Sequence, residues 1–199
     1  MQPKRFLALS ALAALAAAGS ANAGTIATFS DPAAGPGTPL FSYSGGLLTG
    51  GWSAPGLTLH TPGLGGIDYT NATFTMSPLA TIVNLGPVQI MTGGVVNFFD
   101  SANNPLLTIT FSTALLSGPV SLGASDFVGN NVTFSGPILG ATTYQNEAFA
   151  FSFANPIGNA DSFSVTAAFT SSADPVLPTP GAAALLGMGG MMAARRRRN

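Results

Sequence analysis

Between Gly24 and Pro175 the apolar residues return at every second position or in short runs, never at helical spacing. Leu107-Thr-Ile-Thr-Phe-Ser112 is the clearest case, with Leu107, Ile109 and Phe111 on one face and hydroxyls on the other. Residues 147–154 repeat the rule with Phe149, Phe151 and Phe153, and residues 161–170 repeat it with Phe163, Val165 and Phe169. Residues 94–100 and 71–76 are shorter versions; weaker ones are 25–30, 40–44, 57–60, 82–84, 88–91 and 131–135. Gly, Pro, Asn and Asp punctuate these runs. Asp100-Ser-Ala-Asn-Asn-Pro105 has the composition of a hairpin connection, residues 31–39 of a stiff loop, and residues 171–178 of a linker. Roughly ten short strands, each with one aromatic or aliphatic face, predict an all-β domain over residues 24–175. The expected architecture is an antiparallel β-sandwich, jelly-roll-like, in preference to a closed barrel.

Both ends break this pattern. Met1-Gln-Pro-Lys-Arg5 precedes an apolar run at residues 6–18 and a small-residue stretch ending Ala21-Asn22-Ala23. A basic start, a helical apolar core and an Ala-x-Ala site define a secretory signal peptide over residues 1–23. Cleavage between Ala23 and Gly24 makes Gly24 the mature N-terminus.

At the other end, residues 180–194 form a second apolar stretch, closed by Arg195, Arg196, Arg197 and Arg198. An apolar span ending in a basic cluster is the pattern of a membrane helix whose charged end stays in the cytoplasm. About 15 residues at ~1.5 Å rise reach roughly 22 Å, short of a hydrocarbon core of about 30 Å. Anchoring is therefore weak and leans on snorkelling arginine stems.

Pro178-Thr179-Pro180, the apolar stretch and the arginine cluster together resemble the PEP-CTERM sorting signal of exported bacterial proteins. Thr179 stands where glutamate is commonest in that family. The resemblance is confined to residues 176–199. It implies recognition of the tail by exosortase, a membrane transpeptidase-like processing enzyme, and association with extracellular polysaccharide. It implies no fold or activity for the middle of the chain. The plain alternative is an anchor that is never cut.

The charges separate along the same boundaries. The six basic residues are Lys4, Arg5 and the four tail arginines, while the seven acidic ones are Asp31, Asp68, Asp100, Asp126, Glu147, Asp161 and Asp174. Residues 24–175 thus carry a formal charge of −7, seven carboxylates against no lysine or arginine. A domain without phosphate-neutralising side chains excludes nucleic acid as a partner. The same deficit predicts no internal salt bridge. With no cysteine, disulfides, thiolate-bound zinc and a thiol nucleophile are excluded.

Catalytic chemistry is thin. His60 is the single histidine, so a histidine-pair metal site is excluded and any Ser-His-Asp arrangement depends on this residue alone. Its expected place is a hydrogen-bonded strand end. Glycoside hydrolysis needs two facing carboxyl groups; Asp68 and Glu147 are the ones that turn chemistry does not explain, and nothing in the sequence brings them together. No cofactor is expected. Calcium, an oxygen-liganded ion, is the one metal considered, at Asp100 with Asn103 and Asn104 or at Asp126 with Asn130 and Asn131. Asn71-Ala-Thr73 and Asn131-Val-Thr133 match a glycosylation acceptor pattern. Trp52, on an expected Gly/Pro-rich loop or edge, offers with Tyr43, Tyr69 and Tyr144 a carbohydrate platform.

The expected function follows. The chain is an exported cell-surface or extracellular-matrix protein of structural or interaction type, not an enzyme. It is held in the inner membrane, transiently or stably, by its C-terminal helix and is processed by an exosortase-like enzyme. A carbohydrate-binding module for extracellular polysaccharide is the alternative, and a hydrolase is the third reading.

Overall fold

The computed structural model describes residues 23–117 and 125–176. The expected signal-peptide helix and the expected C-terminal helix lie outside those residues, apart from Ala23. Among the described residues, no helix is long and apolar enough to cross a membrane. Residues Ala23–Pro175 form one compact unit.

That unit is an all-β, antiparallel structure of twelve strands. In chain order they are β1 (Gly24–Phe29), β2 (Phe41–Ser44), β3 (Leu47–Trp52), β4 (Thr58–Thr61), β5 (Ile67–Thr70) and β6 (Thr73–Asn84). There follow β7 (Val88–Phe99), β8 (Pro105–Ser117), β9 (Ser125–Asn130), β10 (Thr133–Ser135), β11 (Tyr144–Asn159) and β12 (Ser162–Pro175). Short 3-10 turns at Pro62–Leu64 and Pro137–Leu139 are the described helical pieces.

Strands β2, β3, β6, β7, β8, β9, β11 and β12 hydrogen-bond in that order, and β12 pairs back onto β2. The ring is therefore closed. Its neighbours follow one another along the chain, with β4–β5 and β10 as excursions, so the connectivity is up-and-down. This corrects the jelly-roll expectation. The physical reason lies in the turns: Gly45 and Gly46, both at positive φ, link β2 to β3 in two residues, and Asp100–Asn104 links β7 to β8. Tight turns make neighbours of consecutive strands, whereas a jelly roll needs long crossing connections.

At one end the ring splits. β12 pairs with β2 through residues 162–165 and with β1 through residues 169–173; β8 pairs with β9 through 113–116 and with β10 through 108–110. Beyond the split, β10, β8, β7, β6 and β3 form one layer and β11, β12, β1, β4 and β5 the other. One half is barrel-like and the other sandwich-like.

Phenylalanines fill the space between. The Phe29 ring lies 5.7 Å from Phe74 and 6.3 Å from Phe98 in the first layer. It lies 6.2 Å from Phe151 and 5.4 Å from Phe169 in the second. All five are fully buried. Alternation puts them inside and the intervening Ser, Thr and Asn outside. A membrane-crossing barrel would show the reverse arrangement, polar within and apolar without.

Strand boundaries depart from the sequence pattern at several points. β6 joins the two runs at 71–76 and 82–84, and β7 joins those at 88–91 and 94–100. Pro78 and Gly93 fall between those runs but sit inside continuous strands. Residues 171–175, read as linker, complete β12 and pair with β1 and β11. Buried Ser171 fixes that pairing: its Oγ accepts from the Ala27 amide at 3.1 Å and donates to the Ala27 carbonyl at 3.0 Å.

Candidate functional site

The expected carbohydrate platform does not form as drawn. Trp52 ends β3 and is 8% exposed, and Tyr43 in β2 is 4% exposed. Tyr43 stacks on Phe163 at 5.1 Å, and its hydroxyl shares a 3.1 Å hydrogen bond with Thr81 Oγ1. Both are core residues, because each occupies an inward position in its strand, opposite the core positions Phe74 and Leu48. Tyr69 on β5 and Tyr144 at the start of β11 are half-buried against the core. The four aromatics therefore do not share an exposed face.

The single histidine has a partner. β4 and β5 pair with His60 opposite Asp68, and His60 Nδ1 lies 2.8 Å from Asp68 Oδ1. This corrects the expectation that no internal ion pair forms, since the contact is ionic whenever the imidazole is protonated. The side chains are 45% and 55% exposed, so the pair is weak, of order 0–1 kcal/mol or less. A carboxylate on Nδ1 orients an imidazole as in a catalytic dyad. Here it stands on the exposed face of the β4–β5 hairpin.

The carboxylates are dispersed or already engaged. Asp68 is held by His60 on β5, while Glu147 lies on β11. Asp31 Oδ1 accepts from the Ala33 amide, and Asp174 Oδ2 accepts from Asn146 Nδ2 at 2.8 Å. Asp100 Oδ1 accepts from the Ala102 and Asn104 amides, and Asn104 Nδ2 donates to Oδ2. The Asn104 side chain, with the Asn104 and Ala102 amides, holds the Asp100 carboxyl below its ordinary 3.8. Its oxygens serve the turn. The side chain of Asp126 is outside the described residues; Asn130 Nδ2 donates to Thr113 Oγ1 and Asn131 Nδ2 to Ser112 Oγ. No group of three His, Asp or Glu side chains gathers to hold a metal among the described residues. Asn71 and Asn131, the two acceptor-pattern asparagines, occupy left-handed turn positions with φ of 52° and 49°.

Ala21, Pro178, Thr179, Pro180 and Arg195 to Arg198 lie outside the described residues. Ala23 precedes β1, and Gly24 is its first residue.

Two surface features were not singled out by sequence reasoning. A depression of about 500 Å³ is lined by Gly51, Trp52, Ser53, Thr73, Phe74, Thr75, Phe99 and Asn103. It joins the ends of β3, β6 and β7 to the Asp100–Asn104 turn, which no local spacing reveals. At the barrel end, Val83, Ile90, Leu115, Val128 and Ala150 stand opposite one another on five consecutive strands and form an outward apolar row.

The chain matches no family model, no curated protein and no solved structure.

Proposed function

We propose that this protein is an exported, non-catalytic β-domain presented at the cell surface or in the extracellular matrix, sorted through residues 176–199. One observation carries the reading. The compact β unit spans Ala23–Pro175, and all six lysines and arginines fall outside it. A folded body without lysine or arginine, flanked by two apolar segments that carry them all, has the charge order of a translocated domain between retained ends. Gly24, the residue that leader cleavage exposes, is also the first residue of β1.

The tail works by electrostatics. Each arginine costs roughly 2.5–3.5 kcal/mol at a helix centre on the insertion scale, so four of them stop transfer. Pro178 and Pro180 favour an extended approach to the membrane, open to an exosortase-like enzyme. Gly181, Ala184, Gly187 and Gly190 keep the span thin enough for another helix to pack closely.

Mass spectrometry of the protein recovered from cells and medium tests this. The expected species begins at Gly24 and lacks Arg195 to Arg198. Replacing the four arginines by serine impairs retention and processing together; Pro178→Ala with Pro180→Ala spares insertion but blocks processing. A main surface species ending at Asn199, unchanged in the proline variant, replaces the sorting signal with a plain anchor. Of the other readings, the hydrolase rests on the exposed His60–Asp68 pair alone. The carbohydrate reading gains support from the depression beside Phe99.

A further inference from the structure

Strand alternation gives that depression its chemistry. In β3 and β6, Trp52 and Phe74 are register partners and both point inward. The neighbouring partners Gly51 and Thr75 therefore point outward, and so do Thr73 and Phe99, which pair across β6 and β7. One half-buried aromatic ring shares the outer face with the hydroxyls of Thr73 and Thr75. Ser53 and the amide of Asn103 complete the rim, and Gly51 leaves the floor without a side chain.

We propose that this depression binds a neutral polysaccharide segment. The inference deepens the surface-protein reading and rests on it for the nature of the ligand. None of the eight lining residues is charged, so no lining side chain can form an ion pair with a ligand. The surrounding domain, with seven carboxylates and no lysine or arginine, repels polyanions. What the site does offer is what a sugar ring uses: an aromatic face for its C–H groups beside hydroxyl and amide groups for its oxygens.

Those polar groups are uncommitted. The side chains of Ser53, Thr73, Thr75 and Asn103 make no hydrogen bond to other described residues. On the same outer face Thr108 Oγ1 donates to Asn97 Oδ1 at 2.9 Å and Asn131 Nδ2 to Ser112 Oγ at 2.9 Å. Trp52 also lines the depression; its Nε1 is buried without a partner among the described residues, a donor whose isolation costs about 1–3 kcal/mol. The Asp100 network fixes the turn that carries Asn103, which sits at φ 64°. The volume falls within the roughly 300–1,000 Å³ common for ligand sites.

Trp52 is the only tryptophan and lines the depression, so emission reports one indole beside the site. The full chain in a polyoxyethylene detergent, which carries no sugar, is run in native gels containing dextran, hydroxyethyl cellulose, galactomannan or alginate. The matching neutral oligosaccharide is then titrated against Trp52 fluorescence. The expected result is retardation by at least one neutral polymer, none by alginate, and a saturable change in emission. Phe99→Ala weakens binding about tenfold, and Asn103→Gly and Thr75→Val about threefold each. Asn103→Gly keeps the left-handed turn and Thr75→Val the strand, so these two carry the test where Phe99→Ala fails to fold. No retardation by any neutral polymer, stronger retardation by alginate, or binding that the folded variants leave unchanged would overturn the proposal. Export and processing are read from terminal masses, so the surface reading can stand while this site fails.

Discussion

Asp100 shows how much a single carboxylate does in a domain without lysine or arginine. Its partners are neutral: two amides and the Asn104 side chain. They favour the charged form, and the folded carboxyl titrates below its ordinary 3.8. A depressed folded value means that the turn's contribution is fully present above the unfolded value and is lost as pH falls through the lower folded one. Because Asp100 lies at the surface, only partly covered, the effect is local and screened by solvent. In an NMR titration the Ala102 and Asn104 amide shifts should move with a midpoint below 3.8, and Asp100→Ala should abolish that step. A midpoint at or above 3.8 would show that the network does not hold the charge. The sequence made this turn legible because Asp, Asn and Pro cluster there. It misplaced Trp52 for a related reason: Gly50, Gly51 and Pro55 around it look like a loop. In the fold Gly50 is glycine because a Cβ there would sit 2.4 Å from the Phe41 ring. The ring of its cross-strand partner on β2 decides that residue, and the inward strand position opposite Phe74 hides the indole; glycine-rich composition reveals neither.

At the scale of elements, alternation predicted β8, the centre of β11 and most of β12 well, since one buried face leaves a period-two trace. It fell short wherever a strand continues through an irregularity. β11 runs through register shifts between Gln145 and Ala148 and between Ala154 and Ile157. Asn146 and Asn155 sit at these points with φ of 53° and 49°. Each bulge is fastened to β12, Asn146 Nδ2 to Asp174 Oδ2 at 2.8 Å and Asn155 Nδ2 to Thr166 Oγ1 at 2.9 Å. Asparagine tolerates the left-handed region better than other non-glycine residues, so the two bulges are written into the sequence in a form that also reads as a turn. Asn155→Gly should therefore lower the melting temperature only slightly, losing one hydrogen bond but no backbone comfort. Asn155→Val loses both and should cost about 1–3 kcal/mol, several degrees. Equal melting temperatures for the two variants would mean that backbone conformation does not set this bulge. Strand β3 was missed although Gly45-Gly46, a strong hairpin signal, stands just before it. β9 was missed because Gly129, which lets the Phe149 ring approach, breaks its run; a Cβ there would lie 2.2 Å from that ring.

For the whole molecule, closure depends on the last strand. β12 pairs with β11, β2 and β1, and the Ala27–Ser171 hydrogen bonds join residues 144 positions apart. Such pairing carries a large loop-closure cost before it is rewarded, so the ring closes late and slowly. Closure was not legible in the sequence, since alternation states which face of a strand is buried but not which strand lies beside it. The consequence can be tested by truncation. A chain ending at residue 161 lacks β12, leaving β1, β2 and β11 with unpaired edges and removing Phe163, Val165 and Phe169 from the core. Burying a phenylalanine of this kind is worth about 3–5 kcal/mol by comparison with alanine. The two phenylalanines alone account for about 6–10 kcal/mol, comparable with the roughly 5–15 kcal/mol by which a domain is stable, and the loss of Val165 and of the β12 ladder adds to it. Residues 24–161 should therefore fail to fold cooperatively, bind a hydrophobic dye and aggregate through exposed edges. Residues 24–176 keep every described strand pairing and should unfold in a single transition with a strand-rich circular dichroism spectrum. A folded 24–161 fragment would mean that β12 decorates a core complete without it. An unfolded 24–176 fragment would mean that the tail is part of the domain, and would remove the basis for reading it as a segment that processing can discard.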